Sequence, residues 1–222
     1  MTRISSVPTP TLALSGAAFV IGYPCLVAAA NVVQRDTYDA ASEAMSNLAL
    51  GRAGWLMTLA FISLGIGNLF AALVVRRLAP RAIVGPVLLI VSACTTLLSA
   101  VFQTDADGAA STLHGTVHIA LGLSSFVLVI ASMTACSVTY VRSGSHRRLG
   151  VASAVWALLE VAAVISVFLL PASLFGIGQR AVLAVAISWL LTTFVVALRS
   201  SATPFPSHRR AAAPSLESAG SA

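Results

Sequence analysis

Six long stretches of this chain are apolar and almost free of charge, and each is close to the ~20 residues that a helix needs to cross ~30 Å of hydrocarbon. They cover residues 11–33, 54–75, 82–102, 113–141, 150–174 and 181–198. No water is available inside a bilayer, so each stretch must satisfy its own backbone N–H and C=O groups, as a helix does. The sequence therefore predicts an all-α fold: a polytopic membrane protein whose six transmembrane helices form a bundle.

The composition excludes a water-soluble enzyme. Only 9% of the residues are charged and 58% are hydrophobic, whereas about a quarter of a soluble domain is charged. The net charge of +6 comes from arginines that lie in small groups between the apolar stretches, and they do not form the continuous basic face that nucleic-acid binding requires. We therefore expect membrane lipids as partners, a small-molecule or lipid ligand as a further partner, and no nucleic acid.

The connections between the stretches are too short to hold a soluble domain. We expect a cytoplasmic N-terminus at 1–10, a transmembrane domain at 11–198 and a disordered cytoplasmic tail at 199–222, which is rich in Pro, Ser and Ala. The first stretch, with Ala28-Ala29-Ala30 near its end, also has features of a cleaved signal peptide. Its 23 residues exceed the usual apolar region of such a peptide, so a retained helix is favoured.

Arginine distribution predicts the orientation. With the N-terminus inside, ten arginines are cytoplasmic and only Arg35, Arg52 and Arg180 lie outside, which is the bias that membrane insertion follows. Both termini are therefore expected in the cytoplasm, in a multi-pass protein of the inner or plasma membrane. The ten are Arg3, Arg76, Arg77, Arg81, Arg142, Arg147, Arg148, Arg199, Arg209 and Arg210.

The first outer loop, residues 36–51, predicts a short helix lying on the outer surface. Asp39, Glu43 and Asn47 recur every four residues and would share one face of it. That row is either a solvated polar face or a lid over an outward-facing site.

Two histidines open the fourth stretch. His114 and His118 are four residues apart and share one helical face, the spacing that lets two imidazoles reach one cation. Asp105 and Asp107 precede them in the connecting loop. The group is a candidate outer zinc site; alternatively, both histidines hydrogen-bond to neighbouring helices.

Glu160 is the candidate centre of a buried site. It lies ten residues past Gly150, about 15 Å along the helix and near mid-bilayer. A charged carboxylate at that depth costs at least ~2.5 kcal/mol, so the group is expected to be protonated or partnered. Trp156 lies one turn earlier on the same helix, and the expected partners are Ser125, Ser132, Ser92, Thr95 or Asn68.

Small polar residues form a stripe along the fourth stretch. Ser111, His118, Ser125, Ser132 and Thr139 are spaced by sevens, which indicates either close helix packing or a narrow polar path. The packing interpretation is favoured because the stripe carries no charge. The three cysteines, Cys25, Cys94 and Cys136, all fall inside apolar stretches and are expected to act as small apolar residues.

Two motifs resemble a known family, the six-helix prokaryotic membrane proteins grouped as domain of unknown function 998. The first is Ser46-Asn47-Leu48-Ala49-Leu50-Gly51-Arg52-Ala53-Gly54-Trp55, which leads into the glycine-bearing second stretch (Phe61 to Gly65); the second is Leu113-His114-Gly115-Thr116-Val117-His118. The resemblance covers about residues 11–198. It implies a six-helix integral membrane protein and supplies no activity, ligand or catalytic residue.

Two functions remain open from the sequence. One is a non-enzymatic bundle that binds or moves a small molecule, lipid or proton without a cofactor, with Glu160, Ser125, Ser132 and Trp156 as its binding residues. The other is a metal-dependent membrane hydrolase with zinc at His114 and His118. Glu160 is the only charged residue inside the six stretches, which weakens the enzyme hypothesis because membrane hydrolases place several ligands on different helices.

The topology predicts opposite accessibility for two loop positions. In a variant without native cysteines, Asp107→Cys should react with an impermeant thiol reagent from outside intact cells, and Ser145→Cys only after the membrane is opened. Reaction of both from the same side would contradict the six-span arrangement.

Overall fold

A computed structural model describes residues 7–144 and 146–202, and this part of the chain contains helices and no strands. The predicted all-α fold is therefore confirmed. The six helices are α1 (Thr9–Val33), α2 (Gly54–Leu78), α3 (Val84–Ser99), α4 (Leu113–Ser143), α5 (Arg147–Leu169) and α6 (Phe175–Ala202).

The helices form a closed ring in chain order. Each packs against the next, and α1 closes the ring against α6, while α2 also reaches α6 across the middle. The connections after α1, α3 and α5 lie at one end of the bundle, which we call the acidic end because it carries Asp36, Asp39, Glu43, Asp105 and Asp107. The other end, which we call the arginine end, carries the connections after α2 and α4.

Five of the helices are long and apolar enough to cross a membrane, and α3 is a shorter apolar helix. Large apolar side chains are exposed around the ring, such as Leu169 at 79% and Leu158 at 71%, as expected where hydrocarbon replaces water. The structure is thus that of a polytopic membrane bundle. Which end faces the cytoplasm stays a prediction.

The structure corrects several predicted boundaries, and the sixth helix begins at Phe175 where the sequence predicted residue 181. The third stretch was expected to continue to residue 102, but α3 ends at Ser99 and turns follow. The fifth ends at Leu169 and not at residue 174, because Pro171 restricts Leu170 to an extended conformation. The sixth continues through Ala202, so the predicted tail is helical at 199–202. The remainder of the tail and residues 1–6 lie outside the described residues.

The predicted helix over 36–51 is wrong. Only Met45–Ala49 is helical, as a short 3-10 segment. The side chain of Asp39 accepts hydrogen bonds from the Ala41 N–H (2.9 Å) and the Ser42 hydroxyl (2.6 Å), and this local bonding competes with a helix. The same two bonds lower the pKa of the Asp39 carboxyl. Asp39, Glu43 and Asn47 therefore do not form one helical face.

The first loop is fixed instead by the start of α6. Arg180 donates hydrogen bonds to the Ala40 carbonyl (2.7 Å) and the Tyr38 hydroxyl (2.9 Å), and Gln179 Oε1 accepts from the Met45 N–H (2.7 Å). Gly176 permits this approach, since a Cβ there would lie 2.4 Å from the Glu43 carbonyl oxygen. The loop therefore has a defined position across the acidic end.

The small polar stripe on α4 packs against α3. The Ser132 hydroxyl donates to the Gly85 carbonyl at 3.0 Å, and the Ser125 hydroxyl contacts those of Ser92 and Thr96, each at 3.1 Å. These contacts agree with the packing interpretation for Ser125 and Ser132.

Candidate functional site

A cavity of ≈ 570 Å³ opens at the acidic end of the bundle. This volume is within the usual range of small-molecule sites, about 300–1,000 Å³. The two loops form its rim, and α4, α5 and α6 form its mostly apolar walls. Its wall residues include Ile119, Gly122, Leu123 and Phe126 on α4, Val164, Val167 and Phe168 on α5, and Gln179 and Val182 on α6.

A second cavity of ≈ 80 Å³ lies deeper between the helices. It shares Ser46, His118, Gly122, Phe126 and Gln179 with the first cavity, so the two are adjacent. Its lining also includes Thr96, Ser99 and Ser125. The space at the acidic end thus continues toward the polar contacts between α3 and α4.

His118 lies where the two cavities meet. It is only 8% exposed, its ring packs edge-on against Phe61, and its Nδ1 lies 2.7 Å from the Phe102 carbonyl oxygen. A carbonyl can only accept, so Nδ1 carries the hydrogen, and in the corresponding neutral tautomer Nε2 is an acceptor. No described residue bonds Nε2. His118 therefore offers one unused acceptor in a mostly apolar wall.

The early end of α3 makes this arrangement possible. Because α3 stops at Ser99, Phe102 lies in a turn and its carbonyl is not used within the helix. That carbonyl is the one that His118 contacts.

Asp105 supports the N-cap of α4 and forms no hydrogen bond with a histidine among the described residues. Its two carboxylate oxygens accept from the Thr112 N–H (2.8 Å) and the Thr112 hydroxyl (2.6 Å). The same hydroxyl accepts from the Gly115 N–H at 3.1 Å, so Thr112 is the helix N-cap. The hydrogen bonds from Thr112 lower the pKa of the Asp105 carboxyl. Asp105 is therefore ionised at neutral pH and lies on the rim of the larger cavity.

The other candidate metal ligands have separate contacts. Asp107 accepts from the Asn47 side chain at 2.9 Å, which links the two loops, and the His114 ring packs against Phe102 with centroids 5.3 Å apart. Within residues 7–144 and 146–202, no three His, Cys, Asp or Glu side chains are grouped to hold a metal ion. His118 hydrogen-bonds to the turn after α3, and the two interpretations of the histidines, as metal ligands or as packing residues, both stay predictions.

Glu160 is fully buried, and neither of its carboxylate oxygens has a hydrogen-bond partner among the described residues. The expected bond to a hydroxyl or to Asn68 is therefore wrong. The helix α5 packs chiefly against α4 and α6, whereas Ser125 and Ser132 contact α3, and Asn68 on α2 contacts Ser92. The polar groups that were expected to bond Glu160 therefore lie between α2, α3 and α4, on the side of α4 that faces away from α5.

The predicted binding residues are not brought together. Ser125 lines the smaller cavity, but Glu160, Ser132 and Trp156 line neither of the two. Trp156 is half-buried against the core. Glu160 lies one helical turn before Val164, which lines the larger cavity.

The family model for a protein of unknown function, DUF998, matches residues 15–196. The chain belongs to the DUF998 family. No curated protein and no solved structure matches it. The resemblance stated from the two sequence motifs is thus confirmed.

Sequence reasoning missed several residues of the DUF998 cavity. Gln179 and Gly122 carry no recognisable motif, and Phe126 and Val164 are indistinguishable from lipid-facing residues in an apolar stretch. One signal was present: Gly122 follows Gly115 by seven residues beside the polar stripe. A repeated glycine indicates close packing as readily as open space.

Proposed function

We propose that this protein is a non-enzymatic membrane protein that binds a small amphipathic molecule in the cavity at the acidic end. The observation that carries the proposal is the ≈ 570 Å³ cavity with the unused acceptor of His118 in its wall. Apolar walls with a few polar groups are the usual lining of a ligand site. Gln179, Ser46 and Asn47 supply further polar groups near His118 and the rim.

Transport of the ligand is a further part of the proposal. The smaller cavity extends the larger one toward Thr96 and Ser125, and this direction would take a bound molecule from the acidic end into the bundle. The zinc hydrolase stays a prediction without added support, because Asp105 and Asp107 are bonded to Thr112 and Asn47.

Glu160 is proposed as a proton-binding residue of the same bundle. Its support is that neither carboxylate oxygen of this fully buried side chain has a hydrogen-bond partner among the residues that the structure describes, an arrangement that favours the neutral acid. It lies one turn from the cavity wall at Val164, so its protonation can affect the packing of that wall.

Gly122 offers a direct test of the cavity. A Cβ at this position would meet no atom within 4 Å, so Gly122→Phe should fill the space without straining the helix. We expect the variant to keep its thermal stability and to lose nearly all specific labelling by a photoactivatable C12 alcohol in phosphatidylcholine nanodiscs, measured by mass spectrometry of α4 peptides.

The matched control is Val127→Phe, on the same helix, because Val127 is 66% exposed and lines neither cavity. The C12 alcohol probe should label this variant to the same extent as the unmodified protein. Equal labelling of Gly122→Phe, Val127→Phe and the unmodified protein would contradict binding in the cavity.

The role of Glu160 is tested by comparing two substitutions. Glu160→Gln keeps shape and hydrogen-bonding capacity but cannot titrate, whereas Glu160→Ala also leaves a space. A proton-binding role predicts that both variants alter the pH dependence of the C12 alcohol labelling in the same way, because both remove the same titrating group, with a clear loss of thermal stability only for Ala. Unchanged pH dependence in Glu160→Gln would show that the residue is structural.

A further inference from the structure

One wall of the larger cavity is continuous with the lipid-facing surface. Ile119, Leu123 and Phe168 line the cavity and are also 58%, 51% and 74% exposed. Side chains that are this exposed lie on the outer surface of the bundle, here on the side formed by α4 and α5. A molecule with an apolar chain can therefore enter from the bilayer between these two helices.

At the arginine end, by contrast, α4 and α5 leave no opening between them. A Cβ on Gly150 would lie 2.8 Å from Val141 and 3.0 Å from Tyr140, so the helices are in close contact there. The cavity lies between the same two helices at the acidic end. The opening is thus confined to that end, where an amphiphile can keep its polar head near water.

The charge at the mouth of the cavity has one sign. Asp105 and Asp107 are the only charged side chains among the described residues that line either cavity. The nearby Arg180 guanidinium is directed to Ala40, Gly176, Asn31 and Tyr38, and it lines neither space. The mouth therefore attracts cations and repels anions.

The buried polar group has the matching hydrogen-bonding character. His118 is 8% exposed, lines both cavities and has Nε2 unpartnered, and Nε2 is an acceptor when the ring is neutral. The ligand group that meets it must donate a hydrogen bond. An ammonium group satisfies both the donor requirement and the negative charge of the rim, whereas a carboxylate satisfies neither.

We propose that the ligand of this cavity is a single-chain amphipathic amine that enters laterally between α4 and α5. This rests on the proposed function and specifies its ligand class. The ammonium group lies in the polar part of the cavity, where it donates to Nε2 of His118 and is attracted by the negative charge of the rim, and the apolar chain lies along Ile119, Leu123 and Phe168.

Three photoactivatable probes with the same C12 chain test the proposal. They end in an amine, a hydroxyl or a carboxylate, and each is titrated against the full-length protein in phosphatidylcholine nanodiscs, whose lipids carry no net charge. We expect half-maximal labelling of α4 by the amine at a concentration about ten-fold lower than by the carboxylate, since attraction replaces repulsion at the rim. The preference should decrease at high salt.

Two pairs of variants identify the groups responsible. Asp107→Asn should reduce the preference for the amine, while Asp36→Asn should not, because Asp36 belongs to the same end of the bundle but does not line the cavity. His118→Asn places an amide N–H near the position of Nδ1 and removes Nε2, so it should weaken the amine and hydroxyl probes together. Val127→Phe should leave all three unchanged.

The possible results are distinguishable. Equal labelling of the cavity by the three probes, or stronger labelling by the carboxylate, would overturn the amine assignment and leave the proposed function standing. An equal effect of Asp107→Asn and Asp36→Asn would also overturn it. Failure of all three probes to label α4 above the level in Gly122→Phe would overturn both.

Discussion

The absence of water in the bilayer interior is the constraint on which this structure depends. It requires the backbone to be helical and requires buried side-chain polar groups to find partners within the protein. Ser132 bonds the Gly85 carbonyl, and Ser125 contacts the Ser92 and Thr96 hydroxyls. Four buried side-chain atoms in the described part of the chain depart from this rule: Asn68 Oδ1, the Tyr140 hydroxyl oxygen and both carboxylate oxygens of Glu160.

The candidate site arises where the helical pattern is interrupted. Because α3 ends at Ser99, the Phe102 carbonyl is available to His118, and the bond between them determines which imidazole nitrogen remains free. The first loop covers the same end because Arg180 and Gln179 hold it against α6. An acidic rim, a buried acceptor and an apolar wall thus occur within one region of an otherwise apolar bundle.

The sequence predicted the six helices and the membrane class, because long apolar stretches without charge have few alternative structures. It could not predict the conformation of residues 36–51, where the side-chain bonds of Asp39 favour turns over the helical pattern. The grouping of His114, His118, Asp105 and Asp107 followed from sequence proximity, but the carboxylates of Asp105 and Asp107 bond Thr112 and Asn47 instead of converging with the histidines on one metal site. Cavity walls made of Gly122, Phe126 and Val164 depend on the angles between helices, which an apolar sequence does not specify.

The most direct test of the account is the tautomer of His118 and its response to an amine. ¹⁵N NMR of histidine-labelled protein in nanodiscs, with the signal assigned by His118→Asn, reports the protonation of each ring nitrogen. The account predicts hydrogen on Nδ1, a bare Nε2, and a shift of the Nε2 signal on addition of dodecylamine that is absent in Gly122→Phe. Hydrogen on Nε2 in the unliganded protein, or an Nε2 signal that dodecylamine leaves unchanged, would contradict it.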